Sequence, residues 1–439
     1  MKNALSLAGV LLFAAGRWGW AAELSEADFR FDGPLGSQGA KIEKYGLSHF
    51  KITLGHAPKH PGWANFLQFQ MVRHARGNDL HLTVEFYGET DYAFPGNFYS
   101  WSHDRKNWQR MPGIGLGVPS KTSKNAEDEL TRTVELHFPA FKEDTVWFGH
   151  QVPMAYEDMV ELIDRWKQHP AVKVHNLGKS EGGRNLYRLE ITDAKSPHAR
   201  ERRWVHYFAN QHPGEPNSMW RMAGMIDWLL SDEGADARKR SICHFALMQS
   251  PDGPANGWLR TNAQGIDMNR AYARGGATKG QGHEPFIWQK DLEGLMSAEP
   301  LVDTVWSMHV WPGAADPYML PGPILLDQVL GPPARFGEIL ETHDPGHKLV
   351  KKLKMDTRVP RWEEVKKWTP PDMVPASWGD TWSTGPCAQF GVTAFLCEGG
   401  GDLYTKEENL QSGVVLLKSL TEYWRELKPA SKNGGAPGG

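Results

Sequence analysis

The chain changes its hydrophobic period once, near residue 149, and that change commits it to two unlike modules. From Glu23 to Phe148 apolar residues alternate. FLQFQMV puts Leu67, Phe69 and Met71 on one face, HLTVEFY does so with Leu82, Val84 and Phe86, and TVELHF with Val134, Leu136 and Phe138. Alternation of this kind marks strands with one face buried, and the Gly, Pro and Asn between them supply turns. Residues 23–148 therefore read as a small antiparallel β-sandwich. Beyond Gly149, YEDMVELIDRWKQH spaces Met159, Val160, Ile163 and Trp166 as one face of a helix. Apolar runs (RRWVHYFAN, CHFALMQSPDG, DTVWSMHV, GVTAFLCEGG) then alternate with helical stretches (SMWRMAGMIDWLLSD, LQSGVVLLKSLTEYWREL). Strands apolar on both faces and interleaved with helices predict an α/β domain over residues 149–428, a mixed sheet with substantial parallel content and helices on both faces. The Pro- and Gly-rich stretch from about 313 to 377 reads as long loops near a site, and residues 429–439 as a disordered tail.

The 439 residues exceed what one core usually supports, in keeping with two modules. Their 49 basic and 52 acidic residues are too evenly balanced for a nucleic-acid or anionic-membrane partner. At the N-terminus, Lys2, an apolar run from Ala4 to Ala15, and Ala21-Ala22 before Glu23 have the layout of a secretory signal peptide, residues 1–22. The expectation is an exported protein, periplasmic or extracellular, with no stable membrane insertion after cleavage. Cys243, Cys387 and Cys397 can form at most one pair, so at least one is a buried thiol. The 19 tryptophans are spread along the chain as core and loop anchors, and they keep a carbohydrate-binding reading open.

In an α/β sheet, sites form beyond the carboxyl ends of strands. His212 and Glu215, in HPGE, follow the WVHYFAN run; SPDG follows HFALMQ; His309 closes TVWSMH; and Glu398 closes TAFLC. Two imidazoles and one carboxylate supply three zinc ligands and leave a position for water, and His309 is the best partner for His212 and Glu215. Arg260, in NGWLRTN, could aim a positive charge at a developing oxyanion. Asn269 beside Arg270, in GIDMNR, suits a carboxylate, which a guanidinium holds by charge-assisted bonds. Glu398 sits where desolvation raises a carboxyl pKa, as a general base that later acts as an acid needs. His206 and His244 lie inside predicted strands and read as core residues. His283 and Glu284, in GQGHEPF, read as loop surface.

The ordered series LGKSEGGRNLYRLEIT, NQHPGEPNS, SPDGPANGWLRTNAQGIDMNRAY, SMHVWPGAADPYML and GVTAFLCEGGG resembles the zinc carboxypeptidase family. NGWLRTNAQGIDMNR, the upstream FYSWSHDRKNWQRM and the connecting VWFGHQVPMAYEDM resemble its cytosolic-carboxypeptidase-like branch more closely. The resemblance spans about residues 45 to 425. It implies that His212, Glu215 and His309 bind one Zn2+ per chain, the ligand set known from carboxypeptidase A. It further implies that Arg260 polarises the scissile carbonyl, that Asn269 and Arg270 hold a substrate's terminal carboxylate, and that Glu398 is the catalytic glutamate. The partner so implied is a peptide with a free C-terminal carboxylate. This chain departs from the branch at Met268, at Ala271-Tyr272 and in the Val-Trp-Pro after His309; a substrate-capping tyrosine is a guess between Tyr318 and Tyr404. Trimming of peptidoglycan stem peptides is one alternative. A glycan-binding protein with an inert peptidase domain is another, of a different class. No G-x-S-x-G elbow supports a serine hydrolase.

Overall fold

A computed structural model describes residues 22–87, 99–110, 121–124, 130–273, 275–310, 318–320, 333–351, 354–355, 381–399 and 405–426. Residues 1–21 of the signal-peptide reading, Tyr404, most of the 313–377 stretch and the tail lie outside them.

The N-terminal module is a sandwich of two five-stranded sheets. One contains Phe29–Arg30, Phe69–Met71, Val146–His150, Tyr99–Ser102 and Gln109–Arg110, in spatial order. The other contains Lys121–Lys124, Leu130–Phe138, Leu80–Tyr87, His49–Thr53 and Lys41–Lys44. The expected alternation is present: Leu80, Leu82, Val84 and Phe86 are buried while His81, Thr83, Glu85 and Tyr87 lie half-buried on the outer face. Between the sheets Phe50, Leu82, Leu136, Phe69 and Phe148 share one core.

The expectation of a wholly antiparallel module needs one correction, because His49–Thr53 and Leu80–Tyr87 pair in parallel. Between them the chain crosses to the opposite sheet at Phe69–Met71, and this excursion returns it to the end from which it started. A tight hairpin would have reversed it.

The second module carries an eight-stranded mixed sheet. Its centre is four parallel strands in the spatial order Ser241–Ala246, Trp204–Asn210, Thr304–Met308 and Thr393–Cys397. Antiparallel pairings flank them, Asn185–Ile191 and then Val172–Lys179 on one side and Tyr318–Leu320 on the other, with Lys354–Met355 parallel to Tyr318–Leu320 at the far edge. The central strands are buried on both faces, as their continuous apolar runs require. Phe208, Phe245, Trp306 and Phe395 face the helices Tyr156–Trp166, Pro216–Leu230, Pro333–His343 and Lys406–Glu426. Tyr207, Ala209, Ile242 and Val305 face His283–Met296. The three cysteines are separate buried thiols.

Backbone hydrogen bonds join the modules. Gly36, Gln38 and Phe66 donate to the carbonyls of Pro254 (3.1 Å), Asn256 (2.9 Å) and Gly257 (2.7 Å), and Trp258 donates from Nε1 to Gln38 Oε1. The sandwich is thereby fastened to the loop that leads to Arg260. From the same module Arg105 reaches Asp158 in the first helix.

Candidate metal centre

The strand order locates the site. The chain leaves Trp204–Asn210, adds Ser241–Ala246 on one side, then crosses to add Thr304–Met308 on the other. Such a reversal opens a crevice beyond the carboxyl ends of the two strands that part there. His212 lies two residues past the first of them and His309 one residue past the second.

HPGE is a tight turn in which Glu215 donates its N–H to His212 O at 3.2 Å. Gly214 is needed for close approach, since a Cβ there would fall 2.1 Å from the Phe66 ring and 2.8 Å from Leu259 Cα. Pro216 then opens the helix Pro216–Leu230, with Glu215 as its N-cap residue. This places a carboxylate at the positive end of the helix dipole.

His212, Glu215 and His309 are 2%, 7% and 1% exposed. Glu215 Oε1 meets His212 Nδ1 at 2.8 Å, and Oε2 meets His309 Nδ1 at 2.8 Å and accepts from Val310 N–H at 3.2 Å. The opposite edge of each ring is also engaged. His212 Nε2 lies 3.1 Å from Asp267 Oδ1, and His309 Nε2 lies 2.8 Å from Ser307 Oγ. Gln211 donates its amide to Ala209 O, so its oxygen accepts the Ser307 proton at 2.7 Å. Ser307 can then only accept from His309, which assigns that ring's proton to Nε2; the Asp267 carboxylate does the same for His212. Both Nδ1 lone pairs then face the Glu215 oxygens, an arrangement that a divalent cation holds together. The three ligand atoms lie within 4.8 Å of one another, and this set of two imidazoles and one carboxylate, with outer hydrogen-bond partners, fits zinc.

The electrostatics agree. Burial drives His309 down to about 4, against the opposing pull of Glu215, so the ring is neutral at physiological pH, as a ligand must be.

Asp267 is the functional candidate that sequence reasoning missed. Besides His212 it accepts from Arg260 Nε at 2.8 Å and from Asn269 N–H at 2.9 Å. Burial would raise its carboxyl; the hydrogen bond from His212 and the charges of Arg260 and Arg270 hold it well below the usual carboxylate range. One carboxylate thus orients a metal ligand and the arginine expected at the oxyanion. Its signal was its place two residues before Asn269-Arg270.

Asn269 accepts from Trp382 N–H at 2.9 Å, which fixes its amide, and Arg270 donates from Nη1 to Asn269 O at 2.8 Å. Glu398 is half-buried and follows directly on Thr393–Cys397. Cys397 pairs with Met308, and His309 N–H donates to Cys397 O, so Glu398 issues from the strand beside His309. His212, His309 and Glu398 thus arrive from three neighbouring parallel strands.

Other singled-out residues lie elsewhere. His206 is buried against Thr304, and His244 accepts from Arg188. His283 opens the helix His283–Met296, with Nε2 2.8 Å from Lys179 O. Glu284 is not loop surface: it is buried and accepts from Glu181 N–H and Asn262 Nδ2. SPDG proves structural, since Asp252 accepts from Ser180 Oγ, Gly182 N–H and Arg184 Nη1, tying the SEGGR loop to the sheet.

A buried centre of two histidines and one glutamate, at the switch point of a mixed sheet, defines a metal-site α/β domain of the carboxypeptidase type. Residues 159–304 match the zinc carboxypeptidase family, Peptidase_M14. Over 253 residues the chain is 27% identical to cytosolic carboxypeptidase 2 of Xenopus tropicalis, covering 53% of this chain and 25% of that protein. It is 33% identical over 173 residues to cytosolic carboxypeptidase 2 of Homo sapiens, covering 38% and 19%. The chain thus spans about a quarter or less of these relatives. In fold it is similar to a metallo-carboxypeptidase from Burkholderia cenocepacia, with TM-score 0.65, 16% identity and coverage of 90% and 98%. It is also similar to a metallo-carboxypeptidase from Pseudomonas aeruginosa, solved with (2-guanidinoethylmercapto)succinic acid, with TM-score 0.62, 19% identity and coverage of 91% and 100%. The family match thus lies within the second module, and the likeness of fold extends over both modules.

Proposed function

We propose that the protein is an exported zinc carboxypeptidase that removes the C-terminal residue from peptides. The observation that carries this reading is the convergence of His212, Glu215 and His309, with Glu398 leaving the adjacent strand and Arg260, Asn269 and Arg270 on one loop. When bound, zinc would supply Lewis acidity and lower the pKa of water in the site.

The remaining chemistry belongs to the chain. His212 and His309 would hold the ion through Nδ1, since Asp267 and Ser307 hold their Nε2–H edges. Glu398 takes a proton from the attacking water and returns it to the leaving amine. Arg260, steadied by Asp267, sets a positive charge against the developing oxyanion. Arg270 and Asn269 clamp the terminal carboxylate, which makes the enzyme an exopeptidase, because an internal peptide bond offers no such anion. The ligand named for the Pseudomonas aeruginosa neighbour is itself a succinic acid, in keeping with a site that takes carboxylates.

The test is metal analysis of the purified chain joined to digestion of a peptide library, with C-terminally amidated peptides and muropeptides as further arms. Removal of single residues from free carboxyl ends and no cleavage of amidated ends is the expected result. Cleavage of amidated ends at an equal rate would overturn the exopeptidase assignment. Cell fractionation with N-terminal sequencing tests export, expected to yield a periplasmic or secreted chain starting near Glu23; a cytoplasmic, uncleaved chain would refute it.

A further inference from the structure

We propose a second transition-metal site on the outer face of the N-terminal sandwich, formed by His49, His81 and Glu135 and suited to a borderline divalent ion such as Zn2+. His49, His81 and His137 stand in one row across three adjacent strands, as the pairings His49 with His81 and His81 with His137 show. Their rings stack, with centroids 3.8 and 4.0 Å apart. One row along, Glu135 is paired with Thr83.

The polar edges of two of these rings converge on this second row. His81 Nε2 meets Glu135 Oε2 at 2.7 Å, and His49 Nε2 meets Thr83 Oγ1 at 2.9 Å. Thr83 gives its proton to the same Glu135 oxygen at 2.8 Å. One ligand atom from each of His49, His81 and Glu135 lies within 4.8 Å of the others. Around a tetrahedral zinc with bonds near 2.0–2.1 Å, ligand atoms stand about 3.4 Å apart. Side-chain rotation would close the remaining gap, at the cost of unstacking a ring.

Several features separate this cluster from an accidental gathering of surface histidines. Cross-strand register, and not loop geometry, sets the ligand positions. The floor beneath them is packed, since Phe50, Leu82 and Leu136 are fully buried on the opposite face of the same strands. The nearby Lys51 is paired with Glu85 at 3.1 Å, which offsets its repulsion of a cation. An imidazole pair with one carboxylate selects the borderline ions over Ca2+ and Mg2+, which prefer oxygen ligands.

The experiment is equilibrium dialysis of the full chain against micromolar Zn2+, with metal counted by mass spectrometry and thermal melting followed in parallel. Wild type is expected to hold two equivalents, one of them removed quickly by a mild chelator. His49→Asn/His81→Asn should hold one, and Glu135→Gln should bind the labile equivalent at least tenfold more weakly. In the converse variant, His212→Ala/Glu215→Gln, the labile equivalent should persist and zinc should still raise the melting temperature. That variant keeps the result independent of the buried centre. Melting of the His49→Asn/His81→Asn protein in chelator checks that it is folded. The proposal fails if wild type and the folded His49→Asn/His81→Asn variant bind the same number of equivalents, or if the His212→Ala/Glu215→Gln variant binds none.

Discussion

Two clusters in this molecule present the same donors, two imidazoles and a carboxylate, and they are built on opposite principles. At the switch point, His212 and Glu215 meet His309 from 94 residues beyond Glu215, and each ring is held at both edges. On the sandwich, His49, His81 and Glu135 stand on the open faces of neighbouring strands, and the rings lean on one another. The first arrangement fixes tautomer, orientation and spacing before any metal arrives. The second must rotate a side chain to close. Burial with outer partners suits a cofactor kept through turnover, whereas an exposed register site suits an ion that exchanges.

The comparison can be broken most severely at the buried centre. His212→Ala should lose the tightly held zinc and, with it, several kcal/mol of transition-state stabilisation, so peptidase activity should fall roughly a thousandfold or more. Metal content and kcat/KM on a C-terminal-library hit measure both; a variant that keeps either would remove His212 from the centre. Glu398→Gln should retain zinc while kcat drops about 10²–10⁴-fold, the usual contribution of a positioned general base. Near-normal turnover in that variant would assign the proton transfer elsewhere.

Asp267→Asn sharpens the contrast between held and unheld rings. It removes the acceptor that orients both His212 and Arg260, and zinc affinity or activity should fall about 10–100-fold. His49→Asn/His81→Asn on the open face should leave kcat/KM within about twofold of wild type, in the range of ordinary surface substitutions. A collapse of activity there would show that the two clusters are coupled.

A further test, on stability and not activity, concerns His150, which is stacked 3.9 Å from the Phe66 ring that also occupies the space above Gly214. Burial lowers its pKa to about 3, with Glu215 pulling the other way. The folded state therefore resists the proton that the unfolded chain accepts near pH 6.5. Stability from this group is complete above pH 6.5 and is lost as pH falls toward 3, at about 1.4 kcal/mol per pH unit. In urea titrations of the chelated protein from pH 7 to 4, His150→Phe should show a shallower decline than wild type. An identical decline would show that His150 is protonated in the fold without penalty.

Much of the fold was legible because its signals are local. Alternation in HLTVEFY specifies one buried face whatever its neighbours, and the unbroken apolar runs of the central strands require cover on both sides. What escaped was set by routes through space. The parallel pairing of His49–Thr53 with Leu80–Tyr87 follows from a detour into the opposite sheet, which no window of residues reports. Glu284 read as surface because a polar loop precedes it, yet the SEGGR loop and Asn262 cover and satisfy it. Asp267 was one acidic residue among 52 until the fold set it between His212 and Arg260.

By itself, the sequence determined which residue types would stand at strand ends, and a resemblance to a known family assigned them a chemistry. Tertiary structure decided what those residues touch. Pairing of Thr304–Met308 and Thr393–Cys397 beside Trp204–Asn210 brings His309 and Glu398 to the HPGE turn. Packing of Phe66 against Gly214, hydrogen bonds to Ser307 and Asp267, and the strand register beneath His49 and His81 are likewise invisible along the chain. The reason is physical: propensity and period act over a few residues, whereas a ligand's orientation depends on partners that only chain crossing brings within about 3 Å.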